Sequence, residues 1–193
     1  MFIIKTKNKL KNFIITYQLK LKNKGINKSV RFKEAANITI GKKCNIGANS
    51  YIYCWNEYQH GSTKQNLKGT IFIGNNFNAT RALTIQCCQK ISIGNDVLIA
   101  SNVFICDYNH GIQNLEIPYL NNELFLAEVI IEDGVWIGQG ASILAGVHIG
   151  KKSIIGAGSI VTKNIPEYSI AVGNPAKIIK KYDFNLLKWI DIE

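Results

Sequence analysis

Branched aliphatic residues recur along this chain at intervals of six. Ile131, Ile137, Ile143, Ile149, Ile155 and Val161 keep the interval without a break, and Gly138, Gly150 and Gly156 directly follow three of them. Upstream, Ile40, Ile46 and Ile52 form a second run with Gly41 and Gly47 in phase, and Ile93, Ile99 and Ile105 a third. Between residues 70 and 92 the register is blurred, although Ile73-Gly74 restates the motif. Six is not a helical interval, because it rotates a helical side chain about 240° away from its starting position. Six is even, so in extended structure every sixth side chain faces the same way. An aliphatic followed by a small residue predicts short strands joined by sharp bends, where a bulky side chain would crowd the backbone. Stacking such coils predicts an all-β parallel solenoid with a ladder of aliphatics inside.

The interval fails at residues 106–128, which must then leave one corner of the solenoid as a loop, and long ordered loops are often functional. A weaker break at residues 57–68 carries His60. Both ends read as helical. Leu10, Phe13, Ile14, Tyr17 and Leu21 keep helical spacing over about residues 7–23, with lysines on the other side. After Pro166 and Pro175 close the repeat, Ile178, Ile179, Tyr182, Leu186, Leu187 and Ile190 form an apolar stripe that predicts a helix over 176–192. The expected organisation is a basic amphipathic segment at 1–36, the solenoid at 37–175 and a C-terminal helix at 176–193.

A length of 193 residues fits one domain with short appendages, and 47% hydrophobic with 19% charged residues is ordinary globular usage. No apolar run reaches the roughly 18 residues of a membrane-spanning helix. Charge changes the picture more. The net charge is +10, yet residues 1–43 hold twelve basic residues against the single acid Glu34, and the rest is close to neutral. A basic head on a neutral body suits either a polyanionic surface or a solvated face. Nucleic acid is not expected as the partner, because aromatics among these lysines stop at Phe13 and Tyr17 and no recognition fold is visible. Five cysteines, an odd number without CxxC spacing, read as reduced core residues of a cytoplasmic protein. The start Met1-Phe2-Ile3-Ile4-Lys5 lacks the layout of a secretory signal.

The segments Gly134-Val135-Trp136-Ile137-Gly138, Ile155-Gly156-Ala157-Gly158-Ser159-Ile160-Val161-Thr162-Lys163 and Gly173-Asn174-Pro175-Ala176-Lys177 resemble the closing coils of the hexapeptide-repeat acyltransferases. These are left-handed parallel β-helix enzymes that move an acetyl group from acetyl-CoA. The resemblance covers about residues 37–181 and is nearest the maltose and galactoside acetyltransferase-like branch, which includes O-acetyltransferases of envelope polysaccharides. It implies a homotrimer with sites between subunits, acetyl-CoA as co-substrate and a sugar acceptor. It places the catalytic histidine where the repeat breaks, in Asp107-Tyr108-Asn109-His110-Gly111. His110 is then the general base, a role that a neutral imidazole can fill near pH 7 when an alcohol attacks a thioester. The same resemblance assigns Asn78, Asp107, Asn109 and Trp136 to the acceptor, with Gln86, in Thr84-Ile85-Gln86-Cys87-Cys88, standing in a departure from the family where many relatives carry an acidic acceptor contact. It assigns Trp136, Gly138, Ala157, Thr162, Lys163, Lys177 and Lys180 to CoA.

A γ-type carbonic anhydrase would need three converging histidines, whereas His60, His110 and His148 lie in separate segments, so no metal is expected. A sugar nucleotidyltransferase would need a Gly-rich nucleotide motif that this chain lacks. An amino-sugar N-acetyltransferase shares the fold and the donor and stays open at this point, as does a scaffold without chemistry. The expected location is cytoplasmic, with the basic head as a candidate contact to the inner membrane face.

Overall fold

The computed structural model describes residues 2–192, with side chains from Lys9 onward. After an N-terminal helix, α1 (Phe2–Lys22), the chain passes in rotation through three parallel sheets. The first sheet takes Gly25–Ile26, Asn45–Ile46, Asn78–Ala79, Leu98–Ile99, Trp136–Ile137, Ile154–Ile155 and Ser169–Gly173 in that order. The second takes Arg31–Lys33, Tyr51–Cys54, Thr84–Cys87, Phe104–Cys106, Ser142–Ile143 and Ile160–Val161. The third takes Ile38–Ile40, Thr70–Ile73, Lys90–Ile93, Val129–Ile131 and His148–Ile149.

Each inward position stacks on the same position of the next coil. Ile99, Ile137 and Ile155 are register partners in the first sheet, Ile85, Ile105, Ile143 and Val161 in the second, and Ile73, Ile93, Ile131 and Ile149 in the third. All of these are at most 1% exposed. Burying one such side chain contributes about 1.5–3 kcal/mol, so the column is the main source of stability. The blurred stretch has a simple cause. Ile73, Ala79, Ile85 and Ile91 keep the interval of six, and a longer strand then steps the register forward to Ile93, with Ile91 and Ile93 both buried.

The bends explain the glycines differently from backbone freedom. A Cβ on Gly41 would lie 2.6 Å from the Gly74 backbone, and one on Gly74 would lie 2.6 Å from that of Gly94. These glycines allow one coil to sit on the next. One corner does adopt the left-handed conformation in successive coils, at Lys43, Asn76, Asp96, Gly134 and Lys152, with φ between 56° and 67°. Beside it, Asn75 Oδ1 accepts from Lys42 N (2.8 Å), Asn95 Oδ1 from Asn75 N (2.9 Å) and Asp133 Oδ1 from Asn95 N (2.6 Å). Short amide and carboxylate side chains thus satisfy the corner N–H groups. The five cysteines are buried and unpaired.

Two strands lie inside the stretch expected to form a separate head. Gly25–Ile26 pairs with Asn45–Ile46 and Arg31–Lys33 pairs with Tyr51–Cys54. The expected C-terminal helix is not formed. Ala176–Asp183 and Lys188–Asp191 are strands, added antiparallel to the open edge left by Ser169–Gly173. The β-branched Ile178 and Ile179 suit a strand, and the open edge offers a ladder of hydrogen bonds that an isolated helix would forgo. Leu186 and Leu187, counted in the helical stripe, are instead exposed near the tip of the new hairpin.

On the third sheet's outer face, His148 Nε2 donates to Glu132 Oε1 at 2.7 Å and Lys151 N to Glu132 Oε2 at 2.8 Å. The His148 hydrogen bond holds the Glu132 carboxyl below its ordinary value of 4.5, against partial burial. A depressed carboxylate stabilises the fold above its unfolded pKa, and that contribution is lost as pH falls through the depressed native value. Glu132→Gln should therefore lower the melting temperature slightly at pH 7, since the pair is half exposed. The gap to wild type should close below about pH 4. A gap that persists at pH 3 in thermal melts would show that packing, not charge, is responsible.

Candidate active site

The excursion after Cys106 begins on a buried carboxylate. Asp107 is 0% exposed. Its Oδ1 accepts from Cys88 N (2.7 Å) and its Oδ2 from Gln89 N (2.8 Å) and Cys87 Sγ (3.1 Å). The bend of one coil is thereby tied to the point where the next coil departs. Asp107 was expected to touch the acceptor; both of its oxygens are already engaged in the interior, so its position suits holding the turn. Tyr108–Asn109 then pairs antiparallel with Phe125–Leu126, and Ala127 N donates to Asp107 O at 2.9 Å, which closes the excursion at its base. Tyr108 Oη donates to Gln86 Oε1 at 2.6 Å. Burial pushes the Tyr108 phenol up to about 12, so it stays protonated as a donor at neutral pH.

His110 follows on the exposed side, its ring centroid 6.1 Å from that of Tyr58. Tyr58 belongs to a hairpin, Glu57–His60 with Thr63–Asn66, that leaves the ladder at the equivalent corner two coils earlier. The two excursions interlock. Tyr58 Oη donates to Leu120 O and Thr63 Oγ1 to Asn121 O. His60 Nδ1 lies 2.7 Å from Asn121 Oδ1. The Gln65 amide pairs with the Leu124 backbone in both directions, Nε2 to O at 3.1 Å and N to Oε1 at 2.8 Å.

Beneath them lies a cleft of about 720 Å³, lined by Lys33, Trp55, Tyr58, Tyr108 and His110 among others. Lys33 Nζ sits 3.4 Å from the Trp55 ring centroid, a cation–π contact that fixes both side chains. Cys88 also lines the cleft. Burial first, and then the Asp107 charge, pushes its thiol up to about 12, which leaves it a poor nucleophile at neutral pH. The sequence reading did not single out Lys33, Trp55, Tyr58, Gln65 or Tyr108. The one local sign was Gly61-Ser62 between alternating polar and larger residues, which is a hairpin pattern. Gln65→Ala should remove the two-way amide pair and loosen the excursion that carries His110. The expected result is faster amide hydrogen exchange over 119–126 and a fall of about 1–2 kcal/mol in stability.

The remaining expected residues lie elsewhere on the chain. Asn78, Leu98, Trp136, Ile154 and Ile170 are successive register partners on the outer face of the first sheet. Asn45 Nδ2 donates to Asn78 Oδ1 at 2.7 Å, and Trp136 is 47% exposed. The row continues into the C-terminal hairpin. A bulge pairs Ala171 with Ile178 but Ile170 with Lys180 and Val172 with Lys177. Directly opposed residues share a face, so Lys177 and Lys180 both join the outer face that holds Trp136. Lys180 Nζ is 2.9 Å from Asp191 Oδ1. A Cβ on Gly138 would lie 2.6 Å from Ala157 N, while one on Gly140 or Gly158 would meet nothing within 4 Å. The bend after the first sheet thus exposes Gly140, Ala157 and Gly158, with Gly138 buried between coils and Gln139 exposed beside it. Thr162 and Lys163 are exposed just beyond Ile160–Val161 of the second sheet. One chain therefore brings together Gln86, Asp107, Asn109 and His110 at one corner. It places Asn78, Trp136, Lys177 and Lys180 on another face. No group of side chains able to hold a metal ion occurs among the described residues.

Comparison with known proteins agrees with the repeat. A family profile described as bacterial transferase hexapeptide (six repeats) matches residues 128–163, and one described as hexapeptide repeat of succinyl-transferase matches 37–54. A putative lipopolysaccharide biosynthesis O-acetyl transferase, WbbJ, of Escherichia coli is 37% identical over 63% of this chain and 66% of its own length. The galactoside O-acetyltransferase of Escherichia coli is 38% identical over 70% of this chain and 63% of its own. The matched stretch thus falls short of two thirds of these curated relatives. Among solved structures, a maltose O-acetyltransferase from Clostridium difficile is 30% identical with a TM-score of 0.65, over 92% of this chain and 88% of that one. A galactoside acetyltransferase in complex with coenzyme A is 36% identical with a TM-score of 0.56, over 72% and 66%. The chain belongs to the hexapeptide-repeat acyltransferase family.

Proposed function

We propose that the protein transfers an acetyl group from acetyl-CoA to a sugar hydroxyl, with His110 as the general base. The observation that carries this reading is the place of His110: exposed, at the start of the excursion, on the wall of a cleft built from two interlocked loops. The relatives named for galactoside, maltose and lipopolysaccharide O-acetylation support a sugar acceptor, and the last supports an envelope glycan or its precursor. The rotation through three parallel sheets is read as a left-handed β-helix, and acetyl-CoA as donor supports a cytoplasmic reaction.

In this reading the acceptor lies in the cleft beside Trp55 and Tyr58. His110 takes the hydroxyl proton as the oxygen attacks the thioester carbonyl carbon. As the tetrahedral adduct collapses and the carbon–sulfur bond breaks, the imidazolium returns the proton to the departing sulfur. Asp107 and Tyr108 position the segment that carries the base, with Gln86 as the partner of Tyr108. The small residues Gly138, Gly140, Ala157 and Gly158 keep the bend low beside Gln139, which suits the narrow pantetheine arm. Lys163, Lys177 and Lys180 supply positive charge for the CoA phosphates.

His110 and Trp136 lie on different faces of one chain. A three-fold ring would set the outer first-sheet face of one copy against the His110 corner of the next, a heterologous contact that closes. We therefore infer a homotrimer with sites between copies. Thioester consumption and a mass increase of one acetyl group on members of a sugar panel test the activity. Transfer confined to amino groups would replace this reading with N-acetylation, and no transfer to any acceptor would reject it.

A further inference from the structure

The rotational setting of α1 is fixed by the body. Asn12 Nδ2 donates to Phe32 O at 3.0 Å, and its Oδ1 accepts from Ala35 N at 2.6 Å. Lys20 Nζ donates to Lys28 O and Val30 O, both at 2.9 Å. Ile15 and Leu19 pack on the core. These contacts leave Leu10, Phe13, Ile14, Tyr17 and Leu21 facing away from the protein, 46–68% exposed. At about 100° per residue, these five fall within one stripe roughly 100° wide, opposite Ile15 and Leu19. Lys9 falls on one side of the stripe and Lys11 on the other, both exposed. No acid occurs in the helix.

We propose that this face of α1 docks the protein on a bilayer of anionic lipids. An exposed apolar stripe bordered by lysines on both sides matches a helix lying in the plane of a membrane surface. The apolar side chains enter the acyl boundary and the ammonium groups stay at headgroup level. Charge and apolar surface together select the occupant. Pairing this helix with its own copy would set two acid-free, lysine-bordered faces together, which charge repulsion opposes. A phosphodiester chain would meet the lysines but would have no use for five large apolar side chains. Anionic lipid satisfies both the charge and the stripe. The helix lies beside Lys33, which also lines the cleft, but none of the five stripe residues lines that cleft, so replacing them is expected to leave turnover of a soluble acceptor intact.

The test uses the full chain, sedimented with vesicles of equal parts phosphatidylglycerol and phosphatidylcholine, and with phosphatidylcholine alone. Wild type is expected to bind the mixed vesicles and to release in high salt. The double variant F13E/Y17E should bind at least tenfold more weakly, with unchanged circular dichroism, oligomeric mass and acetyl transfer to a small sugar. Lys9→Gln and Lys11→Gln together should weaken binding roughly 25-fold, at about fivefold for each charge. Equal binding of wild type to neutral vesicles would overturn the proposal, as would no binding to either. A change of oligomeric mass in F13E/Y17E would overturn it in favour of a second copy. Tighter retention of wild type by single-stranded RNA than by mixed vesicles would overturn it in favour of nucleic acid. Apart from the acetyl-transfer control, none of these readouts depends on the proposed chemistry.

Discussion

His110→Ala is expected to lower acetyl transfer by about 10²–10⁴-fold at pH 7, the usual worth of a positioned general base. The loss should fall on kcat, because the imidazole acts on a proton that moves only as the hydroxyl attacks. His110 is exposed, and its ring meets that of Tyr58 in a T-shaped arrangement with centroids 6.1 Å apart. Truncation therefore leaves the fold and the cleft in place, and the melting temperature should shift by no more than a degree or two. Coenzyme A affinity, read by calorimetry, should be unchanged, since the bend at Gly138 and Ala157 and the lysines at 177 and 180 lie on other parts of the chain. His110→Asn should be as inactive as His110→Ala, because an amide fills much of the space and cannot take a proton. Activity within threefold of wild type in both variants would remove His110 from the mechanism. Loss of coenzyme A binding in both would move its role from proton transfer to binding.

Asp107→Ala should be the most destabilising single change near the site. It leaves the Cys88 and Gln89 N–H groups without an acceptor inside a 0% exposed position, and it opens a small void. Each stranded donor costs about 1–3 kcal/mol, so a loss of about 2–5 kcal/mol is expected, or roughly 5–15 °C in a chain of this size. Asp107→Asn is the informative companion. Its amide oxygen can still serve one N–H, while its NH₂ group faces the second N–H donor, so it should fall between wild type and Asp107→Ala. Activity should decline in both variants even at temperatures where they are folded, because the side-chain bonds to Cys88 N and Gln89 N fix the point where the excursion carrying His110 leaves the ladder. A variant with wild-type melting behaviour would mean that water or a rearranged turn replaces the carboxylate.

The interior was largely visible in the chain because it obeys one rule. A position that must face inward in every coil repeats at a constant interval, and Ile131 through Val161 show that interval without interference. The rule weakens where strands lengthen, as at Ile91 and Ile93, where two buried residues on one strand blur the count. The C-terminal segment shows a different limit. Ile178, Ile179 and Tyr182 satisfy a helical stripe and a strand about equally, and the choice is made by an unpaired sheet edge that no local pattern reports. His110 was legible as the histidine at the break of the repeat. Tyr58, Gln65 and Trp55 were not, because they meet the excursion through contacts spanning some sixty positions of chain. The lysines at 177 and 180 were assigned by resemblance, in a segment expected to be helical, and a bulge in a strand sets them on one face instead.

The hairpin at Glu57–His60 and the excursion at 107–128 leave the ladder through the same corner, between the second and third sheets. Above and below each departure the coils stack without interruption, with Ile52 on Ile85 and Ile105 on Ile143. Loop chemistry and ladder stability are therefore separable properties. A lineage can lengthen, shorten or rewrite either loop, and with it the shape of the cleft, while the aliphatic column is untouched. Divergence toward new acceptors is expected to concentrate at this one corner, and grafting its two loops as a pair, with their interlocking hydrogen bonds, is the natural unit of exchange.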